Sequence, residues 1–107
     1  MRADHDGMRV VRAELCDRLD SLQRAAARMS VRDFAKAVGS IRTMAAAYGL
    51  APVVCLADAL ERAVRVQPRG CPAGLYFERL RDAIGCERID AAAGEAMLAS
   101  ISVRLRA

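Results

Sequence analysis

Residues 38–50 read VGSIRTMAAAYGL. Two glycines bracket a run of alanines, and the fold turns on the first of them. If Gly39 makes a turn, the stretch is a helix-turn-helix whose second helix starts near Ile41. If Gly39 lies inside a helix, the stretch belongs to one long helix that stops at Gly49. The apolar residues decide between these. At about 100° per residue, Phe34, Val38, Ile41, Ala45 and Tyr48 fall in one stripe, spaced 4, 3, 4, 3. The stripe crosses position 39 with no break in phase, and such a stripe is the seam of a helical bundle. Gly39 is therefore expected in mid-helix, on the face turned away from the seam.

The neighbouring sequence frames that helix. Ser30 opens S-V-R-D, a start in which its hydroxyl can cap the backbone and Asp33 takes the usual Glu place. Gly49 stands where a C-terminal glycine belongs, and Pro52 suits the first turn of the next helix, over residues 52–66. Upstream, Val11, Leu15, Leu19, Leu22 and Ala26 recur at helical spacing over residues 8–29, with Asp6 placed to cap that helix. Residues 1–7 are polar and are expected to form a flexible tail. Downstream, QPRGCPAG at residues 67–74 is a loop. A fourth helix is expected over residues 72–84, closed by Gly85. A fifth, capped by Asp90, carries Met97, Leu98, Ile101 and Leu105, with Gly94 weakening its first turns.

Long helices joined by short connections pack as antiparallel neighbours. The expected fold is all-α, an up-and-down antiparallel four-helix bundle with an additional N-terminal or C-terminal helix, in one domain over residues 1–107. Composition agrees. Of 107 residues 54% are hydrophobic, yet only 4% are aromatic, so Ala, Leu, Val, Ile and Met must fill the core. Small residues and good helix formers suit close helix packing.

The net charge of +4 is almost all arginine, spread along the chain rather than gathered in a stripe, and no nucleic-acid partner is expected from it. The four cysteines, Cys16, Cys55, Cys71 and Cys86, form no C-x-x-C pair, and the sole histidine is His5. That excludes a zinc-finger pattern, and no metal or cofactor is expected. With no leader-like stretch ahead of them, the thiols read as buried and reduced, in a cytoplasmic protein. No apolar run approaches the ~18 residues of a membrane span.

The face of the second helix opposite its seam carries Arg32, Ala35, Lys36, Gly39, Arg42, Thr43 and Ala46. Its centre is small and its borders are basic, so another protein can approach it closely. These seven residues are the candidate partner-binding set. The helix-turn-helix alternative takes Ala35, Gly39 and Ile41 as its spacing signal and sends Arg42 and Thr43 to DNA. Its would-be recognition helix, RTMAAAYG, is poor in side chains that read bases. Self-association of the bundle through the first helix is a further alternative.

Residues 39–61, GSIRTMAAAYGLAPVVCLADALE, resemble the signature of histidine-phosphotransfer (HPt) domains of bacterial phosphorelays. That signature runs His-x-Leu-Lys-Gly-x-Ala, with a glycine ten residues beyond the histidine and a following helix that ends in Leu-Glu. Here Ile41 stands for the leucine, Arg42 for the lysine and Ala45 for the alanine, Gly49 is the downstream glycine, and Leu60-Glu61 closes the motif. Val53, Leu56 and Ala57 occupy the family's apolar positions. The resemblance implies a helical bundle that meets a response-regulator receiver domain or a histidine kinase through its second helix.

Two departures qualify it. The phospho-accepting histidine falls on Gly39 and the motif glycine on Thr43. Glycine has no side chain with which to attack a phosphoryl group. His5 lies far off in the tail, Ser40 turns toward the seam, and the Thr43 hydroxyl lacks imidazole chemistry. No catalytic residue is expected, and the chain is expected not to be an enzyme. Arg42 keeps the lysine's charge and adds a fork suited to an anion.

Overall fold

The computed structural model describes residues 2–67, 71–86 and 91–106, and side chains within these for 7–67, 71–86 and 92–105. The elements are α1 (Arg2–Ala25), a 3-10 turn (Ala26–Arg28), α2 (Val31–Ala47), α3 (Ala51–Val66), α4 (Ala73–Gly85) and α5 (Ala91–Arg106). No strand occurs among the described residues, and the all-α class is as expected.

α1 packs against α2, α2 against α3, α3 against α4, and α4 closes the ring onto α1. This is a four-helix bundle. α5 is the additional helix, at the C-terminal side, and it covers the outside of the α3–α4 pair. Polar ties join neighbouring helices. Arg18 of α1 donates to Ser40 Oγ of α2 at 2.6 Å. Arg12 of α1 donates to the Cys86 carbonyl at the end of α4 at 3.1 Å, and Arg81 of α4 meets Asp20 of α1 at 2.5 Å.

The core is aliphatic, as the composition requires. Leu15, Leu19, Val38, Ile41, Val53, Leu56, Leu60, Leu80, Ile84 and Ile101 are essentially buried. Each such Leu or Ile side chain contributes about 1.5–3 kcal/mol through burial. Two aromatics bridge the diagonal of the bundle, the Phe34 and Phe77 rings lying 6.0 Å apart at 57°. Among the described residues no helix is long and apolar enough to cross a membrane.

The ends of α2 follow the sequence closely. Ser30 Oγ accepts the Asp33 backbone N–H at 3.1 Å. At the other end Gly49 has φ +71°, the left-handed conformation that favours glycine. The Leu50 N–H donates to the Ala45 carbonyl and the Gly49 N–H to the Ala46 carbonyl. These bonds make a Schellman closure.

Four expectations need correction. α1 begins at Arg2, so residues 2–7 join the helix instead of forming a tail. That stretch has no proline, and its single glycine costs about 1 kcal/mol, too little to stop a helix that continues for many turns. At its other end α1 stops at Ala25, and residues 26–28 tighten into the 3-10 turn. Tyr48 is 52% exposed rather than part of the seam. It is the C-cap of α2, at φ −109° and ψ 12°, so it has left the helical phase. The cysteines are half-buried rather than buried, and all are free thiols. The expected Asp90 cap and residues 68–70 of the expected 67–74 loop lie outside the described residues.

Gly94 has a packing role that helical phase does not reveal. A Cβ there would lie 3.0 Å from the Pro52 Cα and 3.0 Å from the Cys55 Cβ, so α5 starts in backbone contact with the start of α3. Alanine is the better helix former by about 1 kcal/mol, but crowding in a packed interface costs about 1–3 kcal/mol. Gly94→Ala is expected to lower stability by up to about 2 kcal/mol in urea unfolding, whereas propensity alone would raise it.

Candidate functional site

The phase of α2 sends Phe34, Val38, Ile41 and Ala45 into the core. The opposite face therefore stays outside. There Arg32, Ala35, Lys36, Gly39, Arg42 and Thr43 line one side of a groove of about 500 Å³, joined by Val31. Glu61 and Arg65 of α3 line the other side. Six of the seven residues singled out from the sequence thus come together. Ala46 does not. It lies past the groove, in a separate apolar depression with Gly49, Ala51, Val54 and Cys55. Helical phase alone could not separate it, because the division arises from where α3 crosses α2.

α2 is unbroken through Gly39. Gly49 is the only positive-φ residue among those described, so Gly39 has ordinary helical geometry. The turn that a helix-turn-helix requires at residues 39–41 is absent. A Cβ at position 39 would meet nothing within 4 Å beyond its own helix backbone. The floor of the groove is open there, with room for a side chain that the sequence does not supply.

Four cations, Arg32, Lys36, Arg42 and Arg65, face a single carboxylate, Glu61. Arg32 and Lys36 are exposed. Among the described residues neither has an acidic partner. Arg42 is less free than its sequence position suggests. Its Nε lies 3.8 Å from Glu61 Oε2, beyond hydrogen-bond range, and that buried nitrogen has no hydrogen-bond partner. Arg65 holds the other oxygen of Glu61, with Nη2 to Oε1 at 2.8 Å. The Glu61 side chain is only 15% exposed, against 42% for Arg42 and 65% for Arg65. Sequence reasoning named Glu61 only as the end of a motif and missed Arg65. Their i,i+4 spacing was legible as a pair, but their place opposite α2 is tertiary.

Thr43 aside, the hydroxyls and nucleophiles stand outside this groove. Ser40 accepts the bond from Arg18 and lines a different groove, between α1 and α2. Thr43 is exposed on the groove wall. His5 lies on α1, roughly 20 Å along the helix axis from Arg18, the residue that ties α1 to Ser40. Burial pushes the Cys16, Cys55 and Cys71 thiols up, away from the reactive thiolate. Among the described residues no group of three or more His, Cys, Asp or Glu is placed to hold a metal ion.

Compared with protein families, curated proteins and solved structures, the chain matches none.

The open space at position 39 has a direct consequence for stability. Gly39→Ala is expected to raise stability by about 0.5–1 kcal/mol, because it removes a mid-helix glycine without crowding any neighbour. A thermal melt should show a rise of a few degrees. An unchanged or lower melting temperature would mean that the glycine serves the fold.

Proposed function

We propose that this chain is a pseudo-HPt, a non-catalytic, cytoplasmic docking module for phosphorelay proteins. It offers the α2–α3 groove to the acidic face of a receiver domain, or to the matching face of a histidine kinase. One observation carries the reading. At the centre of a basic groove, mid-helix, stands a glycine for which neither backbone geometry nor packing among the described residues gives a reason. It is also the position where the HPt signature has its phospho-acceptor, and the groove keeps an arginine one helical turn on. Without a nucleophile the chain cannot pass a phosphoryl group along. It can occupy the surface that an active phosphotransfer protein would use, and so compete with it.

A DNA-binding role fits this surface less well. A recognition helix must project long side chains into the major groove. The outer face of α2 is concave, with Ala35, Gly39 and Thr43 as its middle, and it receives a partner rather than entering one.

Calorimetry against a panel of receiver domains tests the reading. Arg42→Glu, which reverses a charge, and Gly39→Arg, which fills the floor, should each weaken binding at least about tenfold, or ~1.4 kcal/mol. Equal affinity of both variants and the parent would sink it, as would tighter, salt-sensitive binding to duplex DNA.

A gain-of-function variant tests the same surface independently. Gly39→His places imidazole in open space. The phosphoryl group of a phosphorylated receiver should then move from the aspartyl oxygen to an imidazole nitrogen. That leaves a free carboxylate on the receiver and releases the ring N–H proton to water. Radiolabel should appear on the variant and not on the parent. A variant that is folded and binds receivers, yet stays unlabelled, would show that the docking geometry differs from that of an HPt domain.

A further inference from the structure

Glu61 is placed unusually for a surface carboxylate. Two arginines on different helices converge on it, and each takes a different oxygen. The pairing is unequal. Arg65 makes a charge-assisted hydrogen bond at 2.8 Å, while Arg42 stands off at 3.8 Å with its Nε donor unmet. An unmet buried donor is costly, so Arg42 gains by changing partner, whereas Glu61 loses little. If Arg42 leaves, the Glu61 carboxylate keeps Arg65 and is not left unpaired at low exposure.

We infer that Glu61 is a built-in occupant of the groove's anion position, exchanged on binding for an acidic group of the partner protein. This rests on the groove being a docking surface. Arg32 and Lys36, which have no acidic partner among the described residues, draw the incoming anion toward the floor. Arg42 then turns from Glu61 to that anion, which its planar fork can hold through two hydrogen bonds. Glu61 stays on Arg65 and repels the newcomer. Its negative charge therefore sets a threshold. A lone carboxylate is a poor competitor. A dianionic phosphoryl group, or several carboxylates clustered on one acidic surface, can draw Arg42 away from it. The occupant we assign is such a multiply charged acidic patch on a protein.

Titration with inorganic phosphate, followed by amide chemical shifts at constant ionic strength, isolates this step from any particular partner. Glu61→Gln should bind phosphate about threefold to tenfold more tightly than the parent, with the shifts centred on Gly39, Arg42 and Arg65. Adding Arg42→Gln should abolish the gain. Glu61→Asp keeps the charge but withdraws it by one methylene, so it should give a smaller gain in the same direction, which guards against a loss of fold in the first variant. Equal or weaker binding by the two folded Glu61 variants would overturn the inference, as would a gain that survives Arg42→Gln. If the phosphate gain appears while no receiver domain binds, the exchange stands and the receiver assignment falls. If receivers bind and Glu61→Gln changes neither their affinity nor that of phosphate, the docking surface stands and the exchange falls.

Discussion

α3 is packed on three sides, and this constraint arranges the rest of the molecule. α2, α4 and α5 all lie against it. A helix touched on three sides needs an apolar surface wider than the single stripe of an ordinary bundle helix. The sequence supplies it in Pro52, Val53, Leu56, Ala57, Ala59, Leu60 and Val64, all buried. Little of α3 remains for charge. Asp58, Glu61, Arg62 and Arg65 are confined to its open edge, where they form two i,i+4 pairs. Glu61 and Arg65 fall on the side nearest α2. The Asp58 pair lies toward α5, close enough that Asp58 and Glu95 both raise the Cys55 thiol, behind the larger effect of burial. The groove is thus a consequence of core packing: α3 has one narrow strip for its charges, and part of that strip borders α2.

α2 is built in the opposite way. Four buried side chains, Phe34, Val38, Ile41 and Ala45, fix it in the bundle, and its outer face is tied to α3 only loosely, through Arg42 and Glu61. Exposed arginine and lysine cost little there, since water solvates them. Glu61 is different, because at low exposure a carboxylate needs partners. Its nearer partner, Arg65, is on its own helix, so the local pair forms wherever α3 forms. The cross-helix contact to Arg42 is longer and weaker. The groove keeps a strong local ion pair on one wall, a loose cross-helix pair beside it, and two cations free of both. Such a surface is positive, and it leaves the buried Arg42 Nε without a hydrogen-bond partner.

Much of this was legible from spacing. The seam of α2, the Ser30 cap, the Gly49 closure and Pro52 in the first turn of α3 depend on local backbone chemistry, and local chemistry is written in order along the chain. Six of the residues lining the groove were legible for the same reason, since one helix face can be read from one helix. What escaped was set between helices. Glu61 and Arg65 enter the site only because α3 crosses beside α2. Ala46 leaves it for the same reason. Tyr48 left the seam because the closing glycine ends the helix a residue earlier than the stripe runs. Gly94 looked like a weak point in a helix because sequence spacing carries no information about the backbone 3.0 Å away.

Three glycines make the case for an outside partner when set side by side. Gly49 is required by the backbone, which turns there through φ +71°. Gly94 is required by packing, since a Cβ would strike α3. Gly39 meets neither condition. It has helical geometry, and a Cβ there would touch nothing. Gly7, Gly74 and Gly85 also have free space, but they fall in the first two turns or at the last residue of their helices, where a glycine disturbs less of the hydrogen-bond ladder. A glycine in the middle of a packed helix costs about 0.5–1 kcal/mol relative to alanine. If that cost is offset at position 39, nothing among the described residues offsets it. A partner surface seated on Ala35, Gly39 and Thr43 would do so, because the missing Cβ lets another backbone or ring come closer to the cations than alanine would allow. The proposed docking role gives that glycine a physical reason of the same kind that Gly94 already has, close approach, with the second helix supplied by another molecule.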